Sequence, residues 1–108
     1  MNTIKPPITE AQFLKQVIQL AKLRGWLVHH QRPAMTRKGW RSAIQGDAGF
    51  PDLVLVRGDA LLFVELKRDA GPLLTAEQVA WQYALLRAGA TAWVWRPRQW
   101  AEIEKVLM

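Results

Sequence analysis

Asp52 and Glu65 each sit in one of the two most apolar runs of the chain, DLVLV (52–56) and LLFVELK (61–67), and Lys67 follows Glu65 by two residues. An acid in such a run is costly unless something compensates its charge. The runs are joined by RGDA, whose Gly58-Asp59 suits a two-residue hairpin turn. Residue 57 then faces residue 60, and counting outward places Asp52 opposite Glu65 on one face of the sheet. The Cβ atoms of such a pair lie about 4.5–5.5 Å apart, and like charges so placed destabilise the sheet. Three arrangements relieve them. One carboxyl can keep its proton. Lys67, which shares Glu65's strand parity and therefore its face, can offset part of the charge. Or the two acids can hold a hard divalent cation, Mg²⁺-like at about 2.0–2.1 Å, with the backbone carbonyl of Leu66 as a further oxygen. The plain alternative leaves Asp52 at a frayed strand end in water and pairs Glu65 with Lys67. A register slip of one residue would also separate the acids.

The elements that must position these groups follow from spacing. Thr9 and Gln12 form a capping-box pair, and Phe13, Val17, Leu20 and Ala21 recur at helical spacing, with Leu14 and Ile18 widening the stripe. Gly25 stops this helix. Residues 26–30 (WLVHH) read as a short strand, and 31–49 as a long loop or irregular hairpin. The two apolar runs form an antiparallel hairpin. Gly71-Pro72 breaks the chain, and Thr75 with Gln78 repeats the capping box at the head of a helix running to about Arg87. Trp81, Leu85 and Ala88 form its stripe, with Ala84 beside it. TAWVW (91–95) is a strand, and residues 97–107 form a final helix with Trp100, Ile103 and Val106 or Leu107 inward. The order is αβββαβα, with a right-handed parallel crossover from 61 to 95. The expectation is one α/β domain spanning 1–108, with 1–8 as a lead-in and a mixed sheet flanked by helices.

Glu10 opens the first helix, where the helix dipole favours a negative charge. Positions 10, 13, 14 and 17 also share one face, which turns the acid toward the sheet. Trp81 lies on the buried stripe and reads as core. His29 and His30 are strand neighbours, so only one can face the carboxylates. A surface or structural role suits them better than metal ligation.

The 108-residue chain carries 15 Lys+Arg against 9 Asp+Glu, a net charge of +6, which points to a polyanionic partner. Half the residues are hydrophobic and six are Trp, so the chain should fold. It has no Cys, which excludes disulfides and thiolate metal sites and is compatible with a reducing cytoplasm. The first residues lack the apolar core of a signal peptide. No apolar run approaches the roughly 20 residues needed to cross a bilayer. Arg32, Arg37, Lys38, Trp40 and Arg41 crowd the segment that leads into Asp52. Arg and Lys neutralise phosphates, and Trp can stack on a base. The bland reading of this segment is a solvated basic loop with Trp40 packed beneath it. No base-reading motif is present, so recognition should follow backbone and shape.

The series Gly49-Phe50-Pro51-Asp52-Leu53, Glu65-Leu66-Lys67 and Gln78-Val79-Ala80-Trp81 resembles the PD-(D/E)xK nuclease superfamily and, within it, the VRR-NUC family. The resemblance runs from about Thr9 to Pro97. It implies a restriction-endonuclease-like αβββαβ core carrying an extra C-terminal helix. It implies Asp52 and Glu65 as ligands of Mg²⁺ or Mn²⁺ and Lys67 as the catalytic lysine. Glu10 matches an acid that joins the site in such nucleases, through water if it meets the metal. Gln78 matches the family glutamine near the site, and so has two readings, site residue or capping partner of Thr75. Small stand-alone members occur in bacteria and phages and resemble homodimeric Holliday-junction resolvases. The expectation is therefore a cytoplasmic endodeoxyribonuclease of a bacterial cell or phage-infected host, acting on branched or structured DNA. The alternatives are a less selective nuclease (a nickase, or a flap or fork cutter) and a non-catalytic DNA-binding module.

Overall fold

In the computed structural model, residues 7–31, 34–36, 39–41 and 44–108 are described. Helix α1 (Glu10–Leu23) begins where the capping box requires. The Gln12 amide donates to Thr9 Oγ1 at 3.1 Å, and the Thr9 amide donates to Gln12 Oε1 at 2.8 Å. Two otherwise orphaned backbone donors are thereby satisfied. Its Phe13, Val17 and Ala21 are fully buried, as their spacing predicts, and Leu14, Ile18 and Leu20 pack beside them.

Strands β1 (Leu27–His30), β4 (Leu53–Arg57), β5 (Ala60–Leu66) and β6 (Thr91–Trp95) form one sheet in the order β1-β4-β5-β6. β4 and β5 are antiparallel, with Arg57 opposite Ala60 and Leu53 opposite Val64. That is the register the Gly58-Asp59 turn predicts, and Gly58 takes the positive φ of +58° that such a turn demands. β1 adds antiparallel to β4, and β6 adds parallel to β5 through helix α2 (Ala76–Arg87). The sequence segment 31–49, read as a loop or irregular hairpin, contains a small separate hairpin, β2 (Ala34–Thr36) with β3 (Gly39–Arg41). The final helix starts later than its sequence suggests. Pro97–Gln99 is a 3₁₀ turn, and α3 runs Trp100–Leu107. Among the described residues no helix is long and apolar enough to cross a membrane.

The core lies on one face of the sheet. Leu53, Leu55, Leu62, Val64, Leu66 and Trp95 point there against α1 and against Ile103 and Leu107 of α3. The opposite face meets α2, and here the expected stripe is corrected. Ala84 and Ala88 are exposed, Trp81 and Leu85 are half-buried, and Gln82 is the buried residue of the helix. The helix is apolar nearly all round, with Val79, Tyr83 and Leu86 on its outer side. Its periodicity therefore does not single out one inner face.

The C-terminal turn of α3 is held by cations. Arg57 Nη1 donates to the carbonyls of Arg24 (3.0 Å) and Leu107 (3.2 Å), and its Nη2 donates to Met108 O at 2.7 Å. Arg24 donates to Glu104 O, and Trp26 Nε1 donates to Leu107 O at 3.0 Å. The Arg57 guanidinium lies 4.5 Å from the Trp26 ring centroid, a cation–π contact. Carbonyls at a helix end lack intrahelical partners, and Arg57 supplies them. Arg57→Ala is expected to cost about 2–3 kcal/mol by urea unfolding, with Arg57→Lys recovering only part because it lacks the forked donors.

Candidate active site

Asp52 lies one residue before β4 and Glu65 one residue before the end of β5, so both stand at the same end of the sheet. Asp52 is fixed by a backbone bond, with the Leu66 amide donating to its Oδ2 at 2.8 Å. Glu65 is 2% exposed and Lys67 7% exposed. The two carboxyl groups meet. Burial pushes the Glu65 carboxyl up to about 9, reinforced by its hydrogen bond to Asp52 and by the Asp52 charge, and to a smaller extent by Glu10, while Lys67 opposes the rise. The facing acids read from the hairpin are thus real neighbours, and the frayed alternative does not hold.

A buried acid pair that lacks a cation retains a proton to limit its negative charge. The same oxygens suit a hard divalent cation, which would replace that proton. Among the described residues no three His, Cys, Asp or Glu side chains group as a closed metal site. The fit is therefore to an open site. Asp52 and Glu65 are the side chains that could hold such a cation, with other positions left to backbone oxygen, water or substrate.

The segment carrying Asp52 is held by α2. Gly49 has φ +96°, and a Cβ placed on it would lie 2.5 Å from the carbonyl carbon of Glu77 and 2.8 Å from the Gln78 amide. Only glycine allows this approach of turn to helix. Phe50 packs edge-on against Trp81 (centroids 5.0 Å apart) and Phe63 (5.9 Å). Trp81 Nε1 donates to Asp47 O at 3.3 Å. The spacing between the Gly-Phe-Pro-Asp segment and Trp81 is therefore a packing device that sets the carboxylate. Gly49→Ala is expected to cost about 1–3 kcal/mol by overpacking against backbone, measured by thermal unfolding, and to weaken Mn²⁺ binding by moving Asp52.

Gln78 realises its capping reading. Its Oε1 accepts from the Thr75 amide at 2.9 Å, and its own amide donates to Thr75 Oγ1 at 3.2 Å. Glu10 is at the first position of α1, exposed, and lines a cleft of about 260 Å³ with Ala11, Leu14, His30, Asp52 and Leu66. It stands at the rim of the site rather than among the buried groups. Strand alternation lets only one of His29 and His30 face the carboxylates, yet both border Asp52. His30 lines the cleft with Glu10, and His29 lines a depression on the other side of Asp52 with Phe50 and Pro51. The reason is positional. Asp52 stands at the sheet's end, where side chains from both faces reach round it. No sequence signal gives this, because it depends on the β1–β4 register that sets His30 opposite Leu53.

Of the residues expected to meet nucleic acid, Arg32, Arg37 and Lys38 lie outside the described residues. Trp40 and Arg41 are on β3, opposite Met35 and Ala34.

No family model matches the sequence, and comparison with curated proteins found no match. Among solved structures, one described as "VRR_NUC domain protein" matches 94% of this chain and 87% of its own, with a TM-score of 0.66 and 24% identity. That likeness shows the fold, and it bears the same family label as the motif resemblance.

Proposed function

We propose that this chain is a Mg²⁺- or Mn²⁺-dependent endonuclease that hydrolyses phosphodiester bonds in branched DNA, working as a homodimer on four-way junctions. The observation that carries the reading is the buried Asp52–Glu65 pair with Lys67 beside it, in a fold shared with a VRR_NUC domain protein. When bound, the cation supplies Lewis-acid charge and a more acidic water. Asp52 and Glu65 would hold it, with the Leu66 carbonyl as a further ligand. Lys67 places a fixed positive charge where negative charge develops on the phosphate, and so stabilises the transition state more than the substrate. Glu10, at the cleft rim, orients water. A junction has approximate two-fold symmetry, and a dimer presents two sites to it.

The test is cleavage of a four-way junction, a flap and a plain duplex with Mg²⁺ or Mn²⁺. Paired symmetric nicks in the junction, with the duplex intact, are expected. Equal cutting of all three would refute junction selectivity, and no cutting of any would refute the nuclease reading.

A further inference from the structure

The end of the sheet that bears the acids also bears arginines that composition alone does not bring together. Arg68 follows Lys67 at the end of β5, and Arg96 and Arg98 follow β6. Because β5 and β6 are parallel, all three emerge beside Lys67, whose amide donates to Trp95 O at 2.9 Å. The group is built rather than loose. Arg96 Nη1 donates to Arg68 O at 2.6 Å, and the Gly71 amide donates to the same carbonyl at 3.1 Å. Arg68 folds over Gly71 so closely that a Cβ there would lie 2.7 Å from Arg68 Cγ. The nearby acid, Asp69, is turned onto backbone and accepts from the Arg98 amide at 3.0 Å. Arg68 and Arg98 are exposed.

We infer that Arg68, Arg96 and Arg98 form a clamp for the phosphate backbone of DNA on the β6 side of the Asp52–Glu65 pair. This rests on the nuclease reading and gives it a direction. Across the strand ends, in order, come the β1 end that leads into the basic segment 32–41, then Asp52, then Glu65 and Lys67, then the three arginines. With neighbouring strands about 4.8 Å apart, this row spans roughly 14 Å. DNA lies across it, with the three arginines gripping its backbone on the β6 side of the scissile phosphate. Guanidinium forks suit phosphate oxygens, and a contact of this kind is indifferent to sequence.

The test measures binding of a fluorescent junction and a fluorescent duplex in EDTA over a range of NaCl. Arg68→Gln/Arg98→Gln is compared with Lys22→Gln/Arg87→Gln, an equal loss of charge on exposed residues at the other end of the sheet. Arg96 is left in place because it braces the turn. The slope of log K against log [salt] is expected to fall by about two for the first variant and to stay at the wild-type value for the second. Both DNAs should respond alike. An unchanged slope in the first variant, or an equal fall in both, overturns the clamp. Cleavage by the wild type is scored separately. A protein that cuts DNA while the first variant keeps its slope refutes the clamp alone. One that binds through these arginines but cuts nothing refutes the nuclease reading alone.

Discussion

Glu65→Gln is expected to lower cation-dependent DNA cleavage by on the order of 10³-fold or more, while the protein stays folded. Glutamine keeps the size of the acid and a hydrogen-bonding partner for Asp52, so the buried pair loses its charge-holding capacity without leaving a void. A cation held by one carboxylate instead of two loses both affinity and position, and the electrostatic contribution to the transition state goes with it. Asp52→Asn should match it in activity. An asparagine oxygen can still accept from the Leu66 amide, the bond that holds Asp52 in place, so the strand end remains ordered. The measurement is junction cleavage under single-turnover conditions beside thermal unfolding. Wild-type cleavage by either variant would remove the acids from the mechanism.

The second large effect is on stability. Without divalent cation, the protein is expected to become less stable as pH rises from about 5 to about 9. The Glu65 carboxyl keeps its proton up to about 9 in the folded chain, whereas its ordinary value is 4.5. Between those limits the folded state binds more protons than the unfolded state, so stability falls with pH. Above the folded value it levels off. The total loss is on the order of a few kcal/mol. Mn²⁺ competes with that proton, so its stabilising effect should grow over the same window. Glu65→Gln should flatten both trends. Thermal unfolding at a series of pH values, with EDTA or MnCl₂, decides it. A stability that rises across the window in EDTA would contradict the buried, proton-sharing pair.

The parts of this molecule that sequence made legible are those fixed by local geometry. A two-residue turn dictates which residues face each other, so the Asp52–Glu65 contact followed from counting along β4 and β5. Both capping boxes, at Thr9 and Thr75, mark helix starts to the residue. What was hidden depends on how elements meet. The face α2 buries was hidden because that helix has apolar residues in every direction. The approach of His30 to Asp52 required the β1–β4 register, which no turn fixes. The arginines at 68, 96 and 98 are distant along the chain and converge only because the crossover brings β5 and β6 side by side. Gln78 carried two readings in sequence, and its bond to the Thr75 amide realises the capping one.

Anomalous diffraction from a crystal grown with MnCl₂ is the most direct check on the acid pair as a cation site. A peak should lie between the Asp52 and Glu65 carboxylates, within coordination distance of an oxygen from each and at about 2.0–2.1 Å if Mg²⁺ later takes its place. Absence of density there at saturating Mn²⁺, with the two carboxyl groups still in contact, would contradict it.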